Sequence, residues 1–139
     1  MMNIKNVLSH LHRNRLHYII LTVFIDQLFK HNLNSVIFNT GASFGILKGY
    51  AILLTIISIA IIALLVYLSY KTKDNLLLWS YALIIGGAAS NLLDRVMLGF
   101  VIDYIPFPFF PTFNLADVMI TVGAALFIRH EWLHRKKEK

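Results

Sequence analysis

Apolar residues fall into four long blocks separated by short polar stretches. One block, Ala51 to Ser69, carries no charged residue. At about 1.5 Å per residue, a helix of that length crosses a hydrocarbon core of roughly 30 Å. The other three blocks are interrupted near one end. The first runs from about Leu16 and meets Asp26 and Lys30. The third runs from about Leu76 and meets Asn91, Asp94 and Arg95. The fourth opens with Asn114 and Asp117 and continues apolar to Phe127. The pattern predicts an all-α membrane protein, a four-helix transmembrane bundle. Its approximate spans are 16–33, 50–70, 76–97 and 114–132, within one integral-membrane domain over 1–139. Basic tails cover 1–15 and 133–139. Lys5, Arg13 and Arg15 ahead of the first apolar block imitate a signal peptide, but Asp26-Gln27 stands where a small-residue cleavage site belongs. The first block is therefore expected to be a retained span.

Composition sharpens this reading. Of 139 residues, 58% are hydrophobic and 14% charged, about half the charge of a soluble domain. That excludes a disordered chain, and the length excludes a large multidomain enzyme. With no cysteine, disulfides, thiolate metal sites and a cysteine nucleophile are ruled out.

The net charge of +6 gains meaning from its placement. Four spans put both termini and the loop between the second and third helices on one side. That side holds Lys5, Arg13, Arg15, Lys71, Lys73, Arg129, Arg135, Lys136, Lys137 and Lys139. The other holds Lys30, Lys48 and Arg95. The excess predicts cytoplasmic N- and C-termini and an attraction to anionic membrane lipids. A nucleic-acid partner is not expected, because the chain lacks a soluble basic face.

The acids lie the other way. Asp26, Asp94, Asp103 and Asp117 all fall towards the outer side, although a carboxylate within an apolar helix costs about 2.5–3.5 kcal/mol. Four at similar depth, from three helices and one loop, point to a site. Each also has a plainer reading. Asp26 and Lys30 are four apart and can simply pair. Asn39-Thr40-Gly41-Ala42-Ser43-Phe44-Gly45 can be a turn, and Gly86-Gly87-Ala88-Ala89-Ser90 a close-packing stripe between helices. Asn91 and Asp94 share a face, and Arg95 can neutralise an aspartate or reach headgroups. Asn114 can cap the fourth helix with Asp117 in its first turn. Asp103 sits among Phe100, Tyr104, Ile105 and Phe107, a setting that favours the neutral acid. The segment between Asp103 and Asp117 carries Pro106, Pro108 and Pro111 with Phe107, Phe109, Phe110 and Phe113. It is expected to be a stiff aromatic loop that folds back, so that the two carboxylates face one point.

Taken in order, these blocks closely resemble the lipoprotein signal peptidases, or signal peptidase II, over about Leu16 to Phe127. The blocks are Asp26…Lys30, Asn39-Thr40-Gly41-Ala42, Gly86-Gly87-Ala88 with Asn91 and Asp94-Arg95, Val101-Ile102-Asp103-Tyr104, and Phe113-Asn114-Leu115-Ala116-Asp117. The resemblance implies a multi-pass aspartic endopeptidase of the bacterial cytoplasmic (inner) membrane, with its active site at the outer face. Such enzymes cut prolipoprotein signal peptides just before a diacylglyceryl-modified cysteine. It implies Asp103 and Asp117 as the catalytic dyad. Asn39, Asn91, Arg95 and Asn114 would shape or line the site, and Asp26, Lys30 and Asp94 would support it. Gly41, Ala42 and Ala116 complete the matching blocks. It also implies prolipoproteins and membrane lipids as partners, globomycin-like inhibitors, a monomer, and no cofactor or metal. Two departures stand out. Ser90 occupies a position where the family often has glycine. The stretch between Lys30 and Asn39 is short, so the small extracytoplasmic β/loop element that cradles substrate in the family is expected to be shortened.

Two close carboxylates cannot readily both ionise, so one partner is expected to activate water while the other hydrogen-bonds the scissile carbonyl. Competing readings are a family-like lipopeptide binder without catalysis and a proton-coupled small transporter, although the chain has no internal repeat. His130-Glu131-Trp132-Leu133-His134 fits the zinc-protease pattern H-E-x-x-H. Its neighbours Arg129, Arg135, Lys136 and Lys137 are cationic, no third ligand follows downstream, and Trp132 reads as an interfacial anchor.

Overall fold

The computed structural model describes residues 4–41 and 49–137, with side chains described over 15–41 and 49–136. Four helices account for most of it: α1 (Ile4–Asn32), α2 (Ala51–Lys71), α3 (Asn75–Leu98) and α4 (Leu115–Lys137). α1 extends back through the basic segment 4–15, and α4 continues to Lys137. A helix needs no change of backbone to pass from lipid into water, so the basic flanks continue the same rods.

α2 and α3 are by length and composition apolar enough to cross a membrane. In α2 only Leu54 is buried, while Ile52, Ile56, Ile59 and Leu64 are exposed. A helix that is apolar around its whole circumference and uncovered by protein is matched to lipid. α1 and α4 are 29 and 23 residues long, but polar residues at their ends lower their average hydropathy.

α3 is the central helix, packed against α1, α2 and α4. Its N-cap is Asp74, whose Oδ1 accepts the amides of Leu76 and Leu77 at 2.8 and 3.0 Å. It ends at Gly99, where φ is +83°, a left-handed stop that suits glycine. The small-residue stripe of α3 works as expected against α4. A Cβ on Gly87 would lie 2.3 Å from the Ala116 carbonyl oxygen, so the two backbones approach as closely as only glycine allows. Further along, the Ser80 hydroxyl donates to the Gly123 carbonyl at 2.8 Å.

Four short strands cap one end of the bundle. β1 (Ile37–Asn39) pairs antiparallel with β2 (Val101–Asp103), in the register Ile37 to Asp103 and Asn39 to Val101. β3 (Ile105–Phe107) pairs antiparallel with β4 (Phe110–Phe113). The proline-phenylalanine segment is therefore a β-hairpin. Pro108 and Phe109 form its two-residue tip, Phe109 has φ +64°, and its ring is fully exposed. Proline holds φ near −65°, so the tip has the sign pattern of a type II turn. The amide of Tyr104 donates to the Phe113 carbonyl at 3.0 Å. That closure places the residue after Asp103 beside the residue before Asn114.

Candidate active site

Asp103 ends β2 and Asp117 lies in the first turn of α4. Both line one open cavity of about 1050 Å³ between α2, α3, α4 and the strands. Among the described residues, each carboxylate oxygen of the pair accepts one hydrogen bond. Asp103 Oδ2 accepts from Asn39 Nδ2 at 2.9 Å and Oδ1 from Asn114 Nδ2 at 2.8 Å. Asp117 Oδ1 accepts from Asn91 Nδ2 at 3.0 Å and Oδ2 from the Asn114 amide at 3.2 Å. A carboxylate oxygen has two lone pairs, so one on each remains for water or a substrate. Asn39 pairs with Val101 across the sheet, and Asp103 is two residues further along the same face. The contact is thus a diagonal cross-strand pair.

The start of α4 is a reciprocal cap. The Asp117 amide donates to Asn114 Oδ1 at 2.9 Å, and the Asn114 amide donates back to the Asp117 carboxylate. This is the capping-box arrangement with Asn at the cap and Asp at the third helical position. A sequence feature that reads as an ordinary helix start thereby also aims Asp117 into the cavity. Burial pushes the Asp103 carboxyl up to about 6; the Asn39 hydrogen bond opposes the rise, and the nearby charge of Asp117 adds to it.

Behind the cavity wall lies a buried ionic network. Lys30 Nζ sits 2.7 Å from Asp26 Oδ2, 2.8 Å from Asp94 Oδ2 and 3.1 Å from Asn91 Oδ1. Asp26 is wholly buried. It also accepts the Ser90 hydroxyl at 2.6 Å, the Tyr104 hydroxyl at 2.8 Å and the Ala116 amide at 3.3 Å. The last of these donors is one of the free amides at the N-terminus of α4, which favours a carboxylate there. Asp94 Oδ2 accepts the Ile102 amide at 3.1 Å, which anchors the strand that carries Asp103. The network therefore links α1, α3, β2 and α4 just beneath the two aspartates.

The residues expected from the sequence thus divide into two tiers. Asn39, Gly41, Asn91, Arg95, Asp103 and Asp117 line the cavity. Asp26, Lys30, Asp94, Asn114 and Ala116 are buried behind it. Asp26 and Lys30 do pair, and five further partners (Ser90, Tyr104 and Ala116 on Asp26, Asp94 and Asn91 on Lys30) leave neither facing the cavity. Arg95 Nη2 donates to the Gly41 carbonyl at 3.3 Å, which ties the end of α3 to the segment after β1. Ala42 lies outside the described residues. Sequence reasoning missed Gln27, Ser90 and Tyr104 as network members. Gln27 Nε2 donates to Asp94 Oδ1 at 2.8 Å and to Ser90 Oγ at 3.0 Å. Both residues are polar side chains inside apolar helices, and that was the available signal. Tyr104 stands in the matching block Val101-Ile102-Asp103-Tyr104, but a tyrosine beside an aromatic loop reads as an interfacial ring.

Comparison with known proteins bears on the family and the fold. A family model described as signal peptidase (SPase) II matches residues 5–133. A lipoprotein signal peptidase of Halothermothrix orenii is 44% identical over 99 residues, covering 70% of this chain and 68% of that protein. One from Brucella ovis is 36% identical, covering 87% of this chain and 91% of its own length. Among solved structures, a bacterial membrane enzyme at 2.3 Å resolution superposes with a TM-score of 0.83. It is 26% identical and covers 91% of this chain and 92% of that one. A second bacterial membrane enzyme gives a TM-score of 0.74 at 27% identity, covering 84% of this chain and 91% of that one.

Proposed function

This chain belongs to the signal peptidase II family, and from that premise we infer that it hydrolyses peptides with Asp103 and Asp117 as a catalytic pair. It removes signal peptides from prolipoproteins. The aspartic mechanism rests on one observation above all: these two carboxylates open onto the same cavity and are bridged by Asn114.

The chemistry follows from the environments of the pair. Burial pushes Asp103 up to about 6, and in the proposed scheme it carries the proton that the pair shares. Asp117 takes a proton from a water lying between them, and that water attacks the scissile carbonyl. Asp103 donates its hydrogen bond to the carbonyl oxygen as negative charge builds there, and a proton then passes to the leaving amine. No cofactor enters these steps. The pair titrates as a unit, so Asn39, Asn91 and Asn114 act by fixing both carboxylates before substrate arrives.

The cavity also fits a lipid-modified peptide. Its walls include Ile61 of α2 and Ile84, Ile120 and Val122 beside the polar rim. Acyl chains can stay against apolar helix faces while the peptide bond reaches the carboxylates, and that anchoring supplies orientation and effective concentration. In the proposed topology both termini are cytoplasmic, the strands and the cavity lie at the outer face of the cytoplasmic membrane, four helices span it, and a monomer suffices for activity. A globomycin-like cyclic peptide is proposed to occupy the same cavity as a competitive inhibitor.

The test is cleavage of a diacylglyceryl-cysteine peptide by the purified chain in detergent. The expected result is globomycin-sensitive cutting before the lipidated cysteine. Asp103→Asn and Asp117→Asn should each reduce it by 10³-fold or more while the protein stays folded. Near-normal turnover by either folded variant would refute the pair. Binding of the lipopeptide without cleavage by the unaltered chain would favour the non-catalytic binder.

A further inference from the structure

A second cluster of titratable side chains lies at the far end of α4. His130 and His134 are one turn apart, and their ring centroids are separated by 4.2 Å. The N-cap of α3 faces them. Asp74 spends Oδ1 on the Leu76 and Leu77 amides, which leaves Oδ2 turned towards His130 Nε2 at 3.5 Å. One ligating atom each from Asp74, His130 and His134 lies within 4.8 Å of the others. No third ligand follows downstream in the chain; the third donor arrives from 56 residues upstream of His130 through helix packing.

We propose that Asp74, His130 and His134 bind a divalent transition-metal ion of the zinc class, clipping the end of α4 to the start of α3. Donors about 2.0–2.2 Å from a tetrahedral ion lie roughly 3.3–3.6 Å apart. The observed cluster needs only a small contraction, and the exposed side chains of Asp74 and His134 have the freedom to supply it. His130 is 8% exposed, with Nδ1 at 3.4 Å from Glu131 Oε1. That carboxylate can accept the Nδ1 proton and leave Nε2 for the metal, as outer carboxylates do for zinc-bound histidines. In this arrangement Glu131 orients a ligand and has no role as a base.

The neighbouring cations do not oppose the ion as their number implies. Lys136 lies over the Trp132 ring at 4.9 Å, and positions 132 and 136 are about 200° around the helix from 130 and 134. Arg129 and Arg135 are exposed. The ligand set is two imidazoles and the Asp74 carboxylate, with the Glu131 carboxylate beside His130. Thirteen residues of helix separate His130 from Asp117, about 20 Å, so this site is independent of peptide hydrolysis.

The test uses the full chain in detergent, stripped of metal and titrated with Zn²⁺ against a chromogenic chelator at pH 7.5. One saturable ion per chain is expected, with thermal stabilisation on binding. His134→Gln and Asp74→Asn should each weaken binding at least tenfold and remove the Zn²⁺-dependent rise in Tm. Asparagine keeps the α3 cap, so the metal-free Tm of Asp74→Asn should stay close to that of the unaltered protein. Absence of saturable binding, or equal affinity in His134→Gln and the unaltered chain, would overturn the site. Lipopeptide cleavage measured in a strong chelator should be unchanged, which separates this outcome from any failure of the proposed peptidase reading.

Discussion

A side-chain amide has two protons to give and one oxygen to accept, and Asn114 uses both ends. Its Nδ2 lies within donating distance of Asp103 Oδ1, Asn91 Oδ1 at 3.1 Å and the Ile102 carbonyl at 3.2 Å, so two protons are shared among three acceptors, and its Oδ1 accepts the Asp117 amide. Asn114→Ala leaves several buried groups without partners, each costing about 1–3 kcal/mol. Chemical denaturation should show at least 2 kcal/mol of lost stability by the same estimate, and turnover of a lipopeptide should fall more than 100-fold. Asp103 allows a prediction of opposite sign. Its folded pKa lies above the ordinary 3.8, so the folded state binds more protons between that value and about 6. The carboxyl therefore lowers stability as pH rises through this window, and the loss is complete above it. Asp103→Asn should raise Tm at pH 8, with the gain shrinking as pH falls through 6 towards 4, while the proposed catalytic role requires the variant to lose cleavage. A functional residue that costs stability is the usual trade. At this scale the aspartates and asparagines were legible because each breaks an apolar pattern. Gln27 and Ser90 break the pattern too, but uncharged side chains do so less conspicuously, and their roles rest on partners more than 60 residues away.

Among elements, the close approach of α3 and α4 decides where Asp117 stands. Gly86 and Gly87 look alike in sequence, but they face different neighbours. A Cβ on Gly86 would meet the terminal methyl of Met119 at 2.7 Å, which can swing aside. A Cβ on Gly87 would meet the Ala116 carbonyl oxygen, which belongs to the backbone beside Asp117. Gly87→Ala should destabilise by about 1–3 kcal/mol and cut activity at least tenfold, whereas Gly86→Ala should alter Tm and turnover little. Parallel thermal melts and cleavage assays of the two variants check the contrast. The helices were legible as elements because each is a long apolar block. The strands were not: three or four residues are too few for alternation to register. The hairpin over 105–113 was masked further by its prolines, which ordinarily argue against a strand.

For the whole molecule, the buried Lys30 network holds the four elements around the cavity. Lys30 is 2% exposed and sits between Asp26 and Asp94. Lys30→Met removes the cation and leaves two buried carboxylates facing each other, a loss of about 3–5 kcal/mol. Purified Lys30→Met should melt well below the unaltered protein, and activity should fall with it because β2 and the α4 terminus lose their common anchor. An unchanged Tm would show that the network carries no weight. Taken alone, the sequence marked out four helices, two of them apolar enough to cross a membrane, and four of its seven acids towards one end. Burial cost makes charges within apolar segments rare, and so makes them conspicuous. Only the tertiary structure decided which acids face the cavity and which lie behind it. It also paired Asn39 with Asp103 and brought Asp74 to His130. Those outcomes depend on helix packing and strand register between residues far apart in the chain, which local patterns of polarity do not encode.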